Sequence, residues 1–240
     1  MKIGWFSAGV DSAISIKLSI KTIDKIVYTH IDDQHKDTMR FLRDCESWFG
    51  KEIEIIQSDK KNVESACLSA GGRGYLNGVA GAACTNILKK KVRHNWQKQY
   101  KNMPLEYVWG LDSSEEKRVE RIEKAMPGIM HHFPLIENGY SKTDTHQTLK
   151  ASGLKRPKMY DLGYNNNNCV GCIKGGKGYW NKIRQDFIDV FESRAKLERK
   201  IQASMINGVY LDELEPSKGR IPKAIIQDCG LMCEFIKIKN

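Results

Sequence analysis

The sequence has no long apolar run. Within its 240 residues, no stretch reaches the ~18 apolar residues that a membrane-spanning helix needs. The first residues also lack the layout of a signal peptide, because they lead directly into a predicted core strand. We therefore expect a cytoplasmic protein with no membrane partner.

Acidic residues are in the minority. There are 29 Asp and Glu against 39 Lys and Arg, which gives a formal net charge of +10. This excess favours an anionic partner, either a nucleotide, a nucleic acid (DNA or RNA) or both. The alternative is a Lys-rich surface that serves only solubility.

The seven cysteines form an odd set in a chain without an export signal. A disulfide framework is therefore disfavoured, and metal or redox chemistry is favoured. The length and the 40% apolar content suit one or two domains with a sizeable core.

The first 20 residues predict a strand, a turn of small residues and a helix. This layout directs backbone N–H groups and a helix N-terminus at an anion. Gly9 would supply backbone angles closed to other residues, and Ser7 and Ser12 would add hydroxyl donors. Asp11 would cap the helix or help hold a metal ion beside a phosphate. An ordinary strand-to-helix turn with a polar cap is the alternative.

Strand and helix patterns continue to alternate along the chain. Further strands are predicted at 25–31, 52–56 and 105–111, which indicates a Rossmann-like α/β fold with a parallel sheet. Ligands in such sheets bind beyond the carboxyl ends of the strands. Asp32, after the second strand, is therefore expected level with the turn at 7–12. A solvated turn is the alternative for this carboxylate.

Residues 58–83 are rich in Gly, Ala and Ser and show little periodicity, so we predict a long functional or mobile loop that contains Cys67. The loop ends at Cys84, where a helix N-terminus would lower the pKa of the thiol. The basic helix that follows would contact nucleic acid or form a solvated face. Cys45 falls on the apolar stripe of a helix predicted at 36–49 and is assigned to the core.

The second half of the chain is predicted to be mainly helical. A short extended segment at 131–136 precedes a helix that Ser141 caps, and a long helix is predicted over 178–204. We divide the chain into an α/β domain at 1–140 and a helical, cysteine-rich region at 141–240, packed as one compact unit.

A Cys-x-x-Cys pair followed by glycines stands at Cys169 and Cys172. Two thiolates around a tight turn suit a metal knuckle, an iron–sulfur cluster or a redox dithiol, with two buried cysteines as the remaining alternative. Cys84 and one of Cys229 or Cys233 would complete a four-thiolate site.

Taken together in order, these motifs resemble the phosphoadenylyl sulfate (PAPS) reductase-like family of the PP-loop, or adenine nucleotide alpha hydrolase-like, superfamily. Residues 7–12 resemble the S-G-G-x-D-S loop, with Ala8 in place of the first glycine. Gly110, Glu115 and Arg118 fit G-x-x-x-x-E-x-x-R. The chain is most similar to compact phage and bacterial members related to the DNA phosphorothioation sulfurtransferases.

The resemblance implies a HUP-type Rossmann-like fold and a PP-loop enzyme that cleaves ATP with Mg²⁺, or binds PAPS or its unphosphorylated form APS. The implied phosphate-binding residues are Ser7, Gly9, Asp11 and Ser12. Asp32 and Gly110 would flank the nucleoside, and Arg118 would stabilise phosphate charge. Asp11 and Arg118 are the implied catalytic residues.

The resemblance also implies a 4Fe–4S cluster, with zinc as the alternative, and a sulfur donor protein as a partner. The implied ligands are Cys84, Cys169, Cys172 and Cys233, with Cys229 as the alternative fourth. An oligomer is compatible with this assignment. The Asp-Cys-Gly-Leu-Met segment at 228–232 only partly matches the Glu-Cys-Gly-x-His segment of true PAPS reductases.

Three functions follow from the sequence. The first is adenylation of a substrate with pyrophosphate release, followed by sulfur transfer. The second is reduction of a sulfonucleotide by a cysteine thiolate. The third is a basic nucleic-acid-binding protein with a structural zinc and a degenerate nucleotide site.

Overall fold

A five-stranded parallel sheet forms the centre of the computed structural model, which describes residues 1–79, 81–221 and 225. The strand order is β3-β2-β1-β4-β5, and every adjacent pair is parallel. This arrangement confirms the predicted Rossmann-like α/β fold. The strands are Lys2–Phe6 (β1), Lys25–His30 (β2), Ile53–Gln57 (β3), Glu106–Val108 (β4) and Met130–His132 (β5).

Helices connect and follow the strands. In the described part of the chain the α-helices are Val10–Ser19 (α1), Asp37–Phe49 (α2), Val63–Ser69 (α3), Lys91–Gln97 (α4), Glu116–Ala125 (α5), Pro134–Glu137 (α6), Lys142–Ala151 (α7), Lys158–Asp161 (α8), Lys177–Asp186 (α9) and Ile188–Ile201 (α10). A π-helical segment spans Thr85–Lys90, and 3₁₀ turns span Lys98–Tyr100, Ser113–Glu115 and Leu211–Glu213. None of the helices in these residues is long and apolar enough to cross a membrane.

The strand order reverses between β1 and β4. The chain winds from β1 to β2 and β3 on one side, and then places β4 and β5 on the other. A crevice forms at such a switch point, beyond the carboxyl ends of the strands. The turn after β1 and the segment after β4 therefore meet at the same edge of the sheet.

Alternating side chains of the strands build cores on both faces of the sheet. Phe6, Ile26 and Tyr28 pack with α1 and α2 on one face. On the other face, Trp5 and Tyr107 belong to an aromatic cluster. β3 is an edge strand among the described residues, and its Ile55 is 39% exposed.

The segment at 58–83 is not one long loop, because it contains α3. Asn62 caps this helix by accepting a hydrogen bond from the Ser65 N–H (2.8 Å). Val63, Ala66 and Cys67 form its buried face at helical spacing. The sequence pattern missed this helix because its apolar face consists of only one turn of mostly small residues. Cys67 is therefore a buried helical residue.

Two boundaries in the second half also differ from prediction. β5 ends at His132, and Pro134 begins α6, because proline at the first helical position has the required φ and needs no N–H partner there. The long helix predicted over 178–204 is divided at Phe187, whose φ of −145° and ψ of 65° are not helical. The predicted cap is confirmed, since Ser141 and Asp144 form a capping box on α7.

Gly110, two residues beyond β4, lies directly against the first turn of α1. A Cβ built on Gly110 would lie 2.4 Å from the Ser12 Cα, 2.6 Å from the Ser12 nitrogen and 2.9 Å from the Asp11 carbonyl carbon. Only glycine allows the two backbones to approach this closely. Backbone packing therefore fixes the segment after β4 against the start of α1.

Replacing Gly110 by alanine should destabilise the protein. The methyl group forces the end of β4 away from α1, and we expect the free energy of unfolding to fall by about 1–3 kcal/mol or more, as in overpacked cores. Urea unfolding measures the change. Gly128→Ala is the control, because a Cβ at Gly128 meets no atom within 4 Å. Equal stability of the two variants would contradict the packing argument.

His146 on α7 is fully buried against Tyr160, with ring centroids 4.6 Å apart. Neither ring nitrogen has a hydrogen-bond partner in the described part of the chain. Burial lowers the pKa of His146 to about 3, so the folded protein holds this ring neutral.

Stability should therefore fall in mild acid. An unfolded histidine binds a proton below about pH 6.5, whereas His146 in the folded state does not, so unfolding takes up a proton. Between about pH 7 and about pH 5 this should cost about 2 kcal/mol. Urea unfolding at the two pH values should show a smaller loss for His146→Leu than for the wild type. The exposed His94→Leu serves as the control and should behave like the wild type.

Candidate functional site

A cavity of about 330 Å³ lies where β1 and β4 end, and we call it the β1–β4 cavity. Its wall contains six of the seven residues predicted to bind the nucleotide, which come from distant parts of the chain: Ser7, Gly9, Asp11, Ser12, Gly110 and Arg118. The fold thus brings the turn after β1 and the segment after β4 to one space.

Asp32, the seventh predicted residue, does not line this cavity. Its carboxylate accepts a hydrogen bond from the Gln57 side chain (2.6 Å) and lies 3.5 Å from the His30 ring. Thr29, near the end of β2, and Gln34, which follows the strand, line the cavity instead.

The turn at 7–12 obtains its shape from Ala8 and not from Gly9. Ala8 is buried and has a φ of 56°, in the left-handed region, which costs an L-residue about 1–2 kcal/mol. Gly9 has an extended backbone, with a φ of −98°, so the special angles expected for it are absent. A Cβ at Gly9 would lie 3.3 Å from the Tyr160 hydroxyl oxygen, so a larger residue would make Tyr160 shift slightly.

Side-chain hydroxyls hold the turn closed. Ser12 Oγ accepts from the Ser7 N–H (3.1 Å) and donates to the Gly9 carbonyl (2.9 Å). The Val10 N–H donates to the Tyr160 hydroxyl (3.3 Å). Gly9 is the N-cap residue of α1 and makes no side-chain cap, so Asp11 does not cap the helix but lies in its first turn.

Asp11 is held by two residues of α7. The Thr145 hydroxyl donates to Asp11 Oδ1 (2.5 Å), and Lys142 Nζ lies 3.7 Å from Oδ2. Burial raises the pKa of Asp11, and Lys142 and Thr145 partly oppose this rise. Sequence reasoning missed both partners, since they lie more than a hundred residues away from the turn.

Three cationic side chains also line the β1–β4 cavity: Lys89, Arg93 and Arg118. Arg118 pairs with Glu115 one turn before it. The Arg93 guanidinium lies 5.6 Å from the centre of the Trp109 ring. Among the described residues, neither Lys89 nor Arg93 has a carboxylate at ion-pair distance. The cavity is therefore suited to an anion with several charges.

Three of the four consecutive asparagines, Asn166 to Asn168, form another part of the wall, and the sequence assigned them no role. Asn166 Oδ1 accepts from Lys142 Nζ (2.8 Å). Asn167 is buried, and its Nδ2 donates to the Ala8 carbonyl (2.8 Å) and to the Thr38 hydroxyl (3.2 Å). A run of polar residues gives no sequence signal for such buried contacts.

A second cavity, of about 300 Å³, contains three of the predicted metal ligands: Cys84, Cys169 and Cys172. We call it the thiol cavity. Lys89, Asn166 and Asn168 line both cavities, so the two spaces adjoin. Lys89 extends from the π-helical segment, a type of helix that is frequent at functional sites.

Hydrogen bonds and a left-handed glycine shape the Cys169–Cys172 turn. Gly171 has a φ of 70°, which allows the tight reversal. The Tyr179 hydroxyl accepts from the Cys172 N–H (2.8 Å) and donates to the Cys169 carbonyl (3.3 Å). Arg194 Nε donates to the Gly171 carbonyl (3.3 Å).

Burial raises the pKa of two of these thiols, Cys84 and Cys169. Burial raises the pKa of Cys84, and nearby Cys172 adds to the rise, while Lys174 and Lys89 oppose it. The prediction that a helix N-terminus lowers this pKa is therefore wrong, because burial has the larger effect. Burial raises the pKa of Cys169 to about 12.

Three thiols on one wall are a donor set that suits a soft metal or an iron–sulfur cluster. Within residues 1–79, 81–221 and 225, however, no group of three or more His, Cys, Asp or Glu side chains is arranged to hold a metal ion. The predicted fourth ligand, Cys233, and its alternative, Cys229, lie outside the described residues.

Comparison with models of known families finds a match to the phosphoadenosine phosphosulfate reductase domain over residues 3–175. The matched range runs from β1 to β5 and on through the Cys169–Cys172 turn. It includes the 7–12 turn, Gly110, Arg118 and Cys84. A search of curated proteins finds no match. Because the family model matches most of the sequence, the chain belongs to the phosphoadenosine phosphosulfate reductase family of the PP-loop superfamily.

Proposed function

We propose that this chain binds ATP in the β1–β4 cavity and transfers the adenylyl group to a substrate oxygen. That oxygen would attack the α-phosphorus and form a new P–O bond. The bond from the α-phosphorus to the bridging oxygen would break, and pyrophosphate would leave with the electron pair. The observation that carries the proposal is the meeting of the turn at 7–12 with three cationic side chains in one cavity.

The turn would bind the phosphates. Ser7, Gly9 and Ser12 present a backbone and hydroxyl surface at the start of a helix, which favours anions. Asp11 is the carboxylate at this end of the cavity, and with the phosphates it would hold Mg²⁺, which offsets phosphate charge. Arg118 would stabilise charge that develops on the phosphates.

Gly110 would lie against the nucleoside, as part of the wall opposite β2. Thr29 and Gln34 would contact the nucleoside from the β2 side, since they line the cavity and Asp32 does not. Lys89 and Arg93 would neutralise the remaining negative charge, because they have no carboxylate partner among the described residues.

Sulfur transfer would follow at the boundary with the thiol cavity. The terminal sulfur of a donor-protein persulfide would attack the adenylated carbon, a C–S bond would form, and AMP would leave as the C–O bond breaks. A thiol reductant would then attack the donor's sulfur, break the S–S bond, release the thiolated product and remain joined to the donor as a disulfide. Cys84, Cys169, Cys172 and Cys233 would hold a 4Fe–4S cluster. An iron would bind the transferred sulfur only in place of one of these four thiolates. Zinc is the alternative metal, and Cys229 is the alternative fourth ligand.

Reduction of a sulfonucleotide is the second candidate, and the family match favours it. The two functions differ in their products. Incubation with ATP and a candidate acceptor should release pyrophosphate, whereas incubation with PAPS or APS and a thiol reductant should not release sulfite. Sulfite release without pyrophosphate release would select the reductase and overturn adenylation.

Arg118→Ala should weaken ATP binding by about tenfold or more, since charged hydrogen bonds contribute about 1.5–3 kcal/mol. Quenching of tryptophan fluorescence measures the affinity, because Trp109 lines the same cavity. Arg121→Ala is a matched control on α5, outside the cavity wall, and should bind ATP like the wild type. Equal weakening by both substitutions would show that general charge, and not the site, binds the nucleotide.

Cys84→Ala and Cys169→Ala should each lower the iron and acid-labile sulfide content of anaerobically purified protein. Each substitution removes a thiolate from the proposed cluster. Cys45→Ala is the control, because Cys45 is fully buried in the core beside the sheet. Iron analysis with visible absorbance measures the result. Iron-free protein that contains zinc would overturn the cluster and support the alternative metal.

A further inference from the structure

The asparagine segment at 165–168 connects the turn that would bind phosphates to the turn that carries the thiols. Asn167 lies two residues before Cys169 and donates to the carbonyl of Ala8, which is the one non-glycine residue of the 7–12 turn with a positive φ. The contact is buried, since Asn167 is only 6% exposed.

The contact acts on a strained position. Ala8 remains in the left-handed region only because the surrounding structure holds it there. The Asn167 amide binds the carbonyl of that residue at 2.8 Å and is itself fixed by the Thr38 hydroxyl on α2. A change in the Ala8 peptide plane when phosphates bind would therefore move the Asn167 side chain.

The other end of the segment is held by backbone hydrogen bonds to the residues after β2. Cys169 pairs with Gln34 in an antiparallel bridge, and the Val170 N–H donates to the Asp33 carbonyl (2.8 Å). The residues on either side of Asn167, Asn166 and Asn168, line the β1–β4 cavity, and both also line the thiol cavity. Only Asn168 separates Asn167 from Cys169, so a shift of Asn167 would be transmitted to Cys169.

We propose that Asn167 is a positioning residue that couples nucleotide binding at the 7–12 turn to the conformation of the Cys169–Cys172 turn. Nucleotide in the β1–β4 cavity fixes the Ala8 peptide, Asn167 follows through its hydrogen bond, and the thiol turn becomes more ordered. The inference rests on the proposed function only in that a nucleotide occupies the cavity.

Hydrogen–deuterium exchange of the full chain, as purified, tests this coupling. Saturating ATP should slow exchange severalfold in the wild-type peptide at 168–176. In Asn167→Asp the side chain keeps its size but loses the N–H donor to Ala8. We expect that variant to retain slower exchange at the 7–12 turn on ATP addition, and to lose the slowing at 168–176.

Asn138→Asp is the matched control. Asn138 also donates from its side-chain amide to a backbone carbonyl, that of Pro134 (2.7 Å), but it lies at the C-terminal end of α6 and outside both cavities. The Asn138→Asp variant should show the same slowing of exchange at 168–176 on ATP addition as the wild type. Thr38→Val, which removes only the second partner of Asn167, should give an intermediate loss and provides a test if Asn167→Asp folds poorly.

Two results would overturn the coupling. One is a wild-type peptide at 168–176 whose exchange does not respond to bound nucleotide. The other is a full response in Asn167→Asp at saturating nucleotide. If the wild type binds PAPS and not ATP, the same measurement with PAPS still tests Asn167, while the adenylation proposal fails separately.

Discussion

The approach of the Gly110 backbone to the backbone of Ser12 is the constraint on which the site depends. The segment after β4 meets the first turn of α1 there without an intervening side chain. Because the contact is between main chains, it leaves little freedom in how the segment after β4 faces the turn after β1. The β1–β4 cavity, which Ser7, Gly110 and Arg118 all line, lies beside this contact.

Polar side chains from the second half of the chain provide hydrogen-bond and ionic partners for the turn that follows β1. The 7–12 turn contains a strained alanine and a largely buried carboxylate, and each needs support from the surrounding structure. Thr145 and Lys142 satisfy Asp11, and the asparagine segment satisfies the Ala8 carbonyl. The helical second half thus supports the α/β half at the position where chemistry would occur, which is why α7 must pack directly against α1.

The sequence predicted those features that depend on local pattern. Apolar runs identified the strands, and a turn of small residues after β1 identified the phosphate-binding candidate. It assigned the wrong residue to the unusual backbone angles, because glycine is the usual residue for a positive φ and Ala8 occupies that conformation here. Asn167 and Lys142 could not be found, since their roles come from contacts between residues far apart in the chain.

The wall that the two cavities share has a consequence for side reactions. Lys89, Asn166 and Asn168 belong to both spaces, so a compound activated in one would face the cysteines of the other across a single layer of side chains. A mixed anhydride or adenylate is readily destroyed by water. In the proposed reaction, an adenylate that passed directly from the β1–β4 cavity to the thiol cavity would spend less time in solvent. Capture by sulfur would then be favoured over hydrolysis.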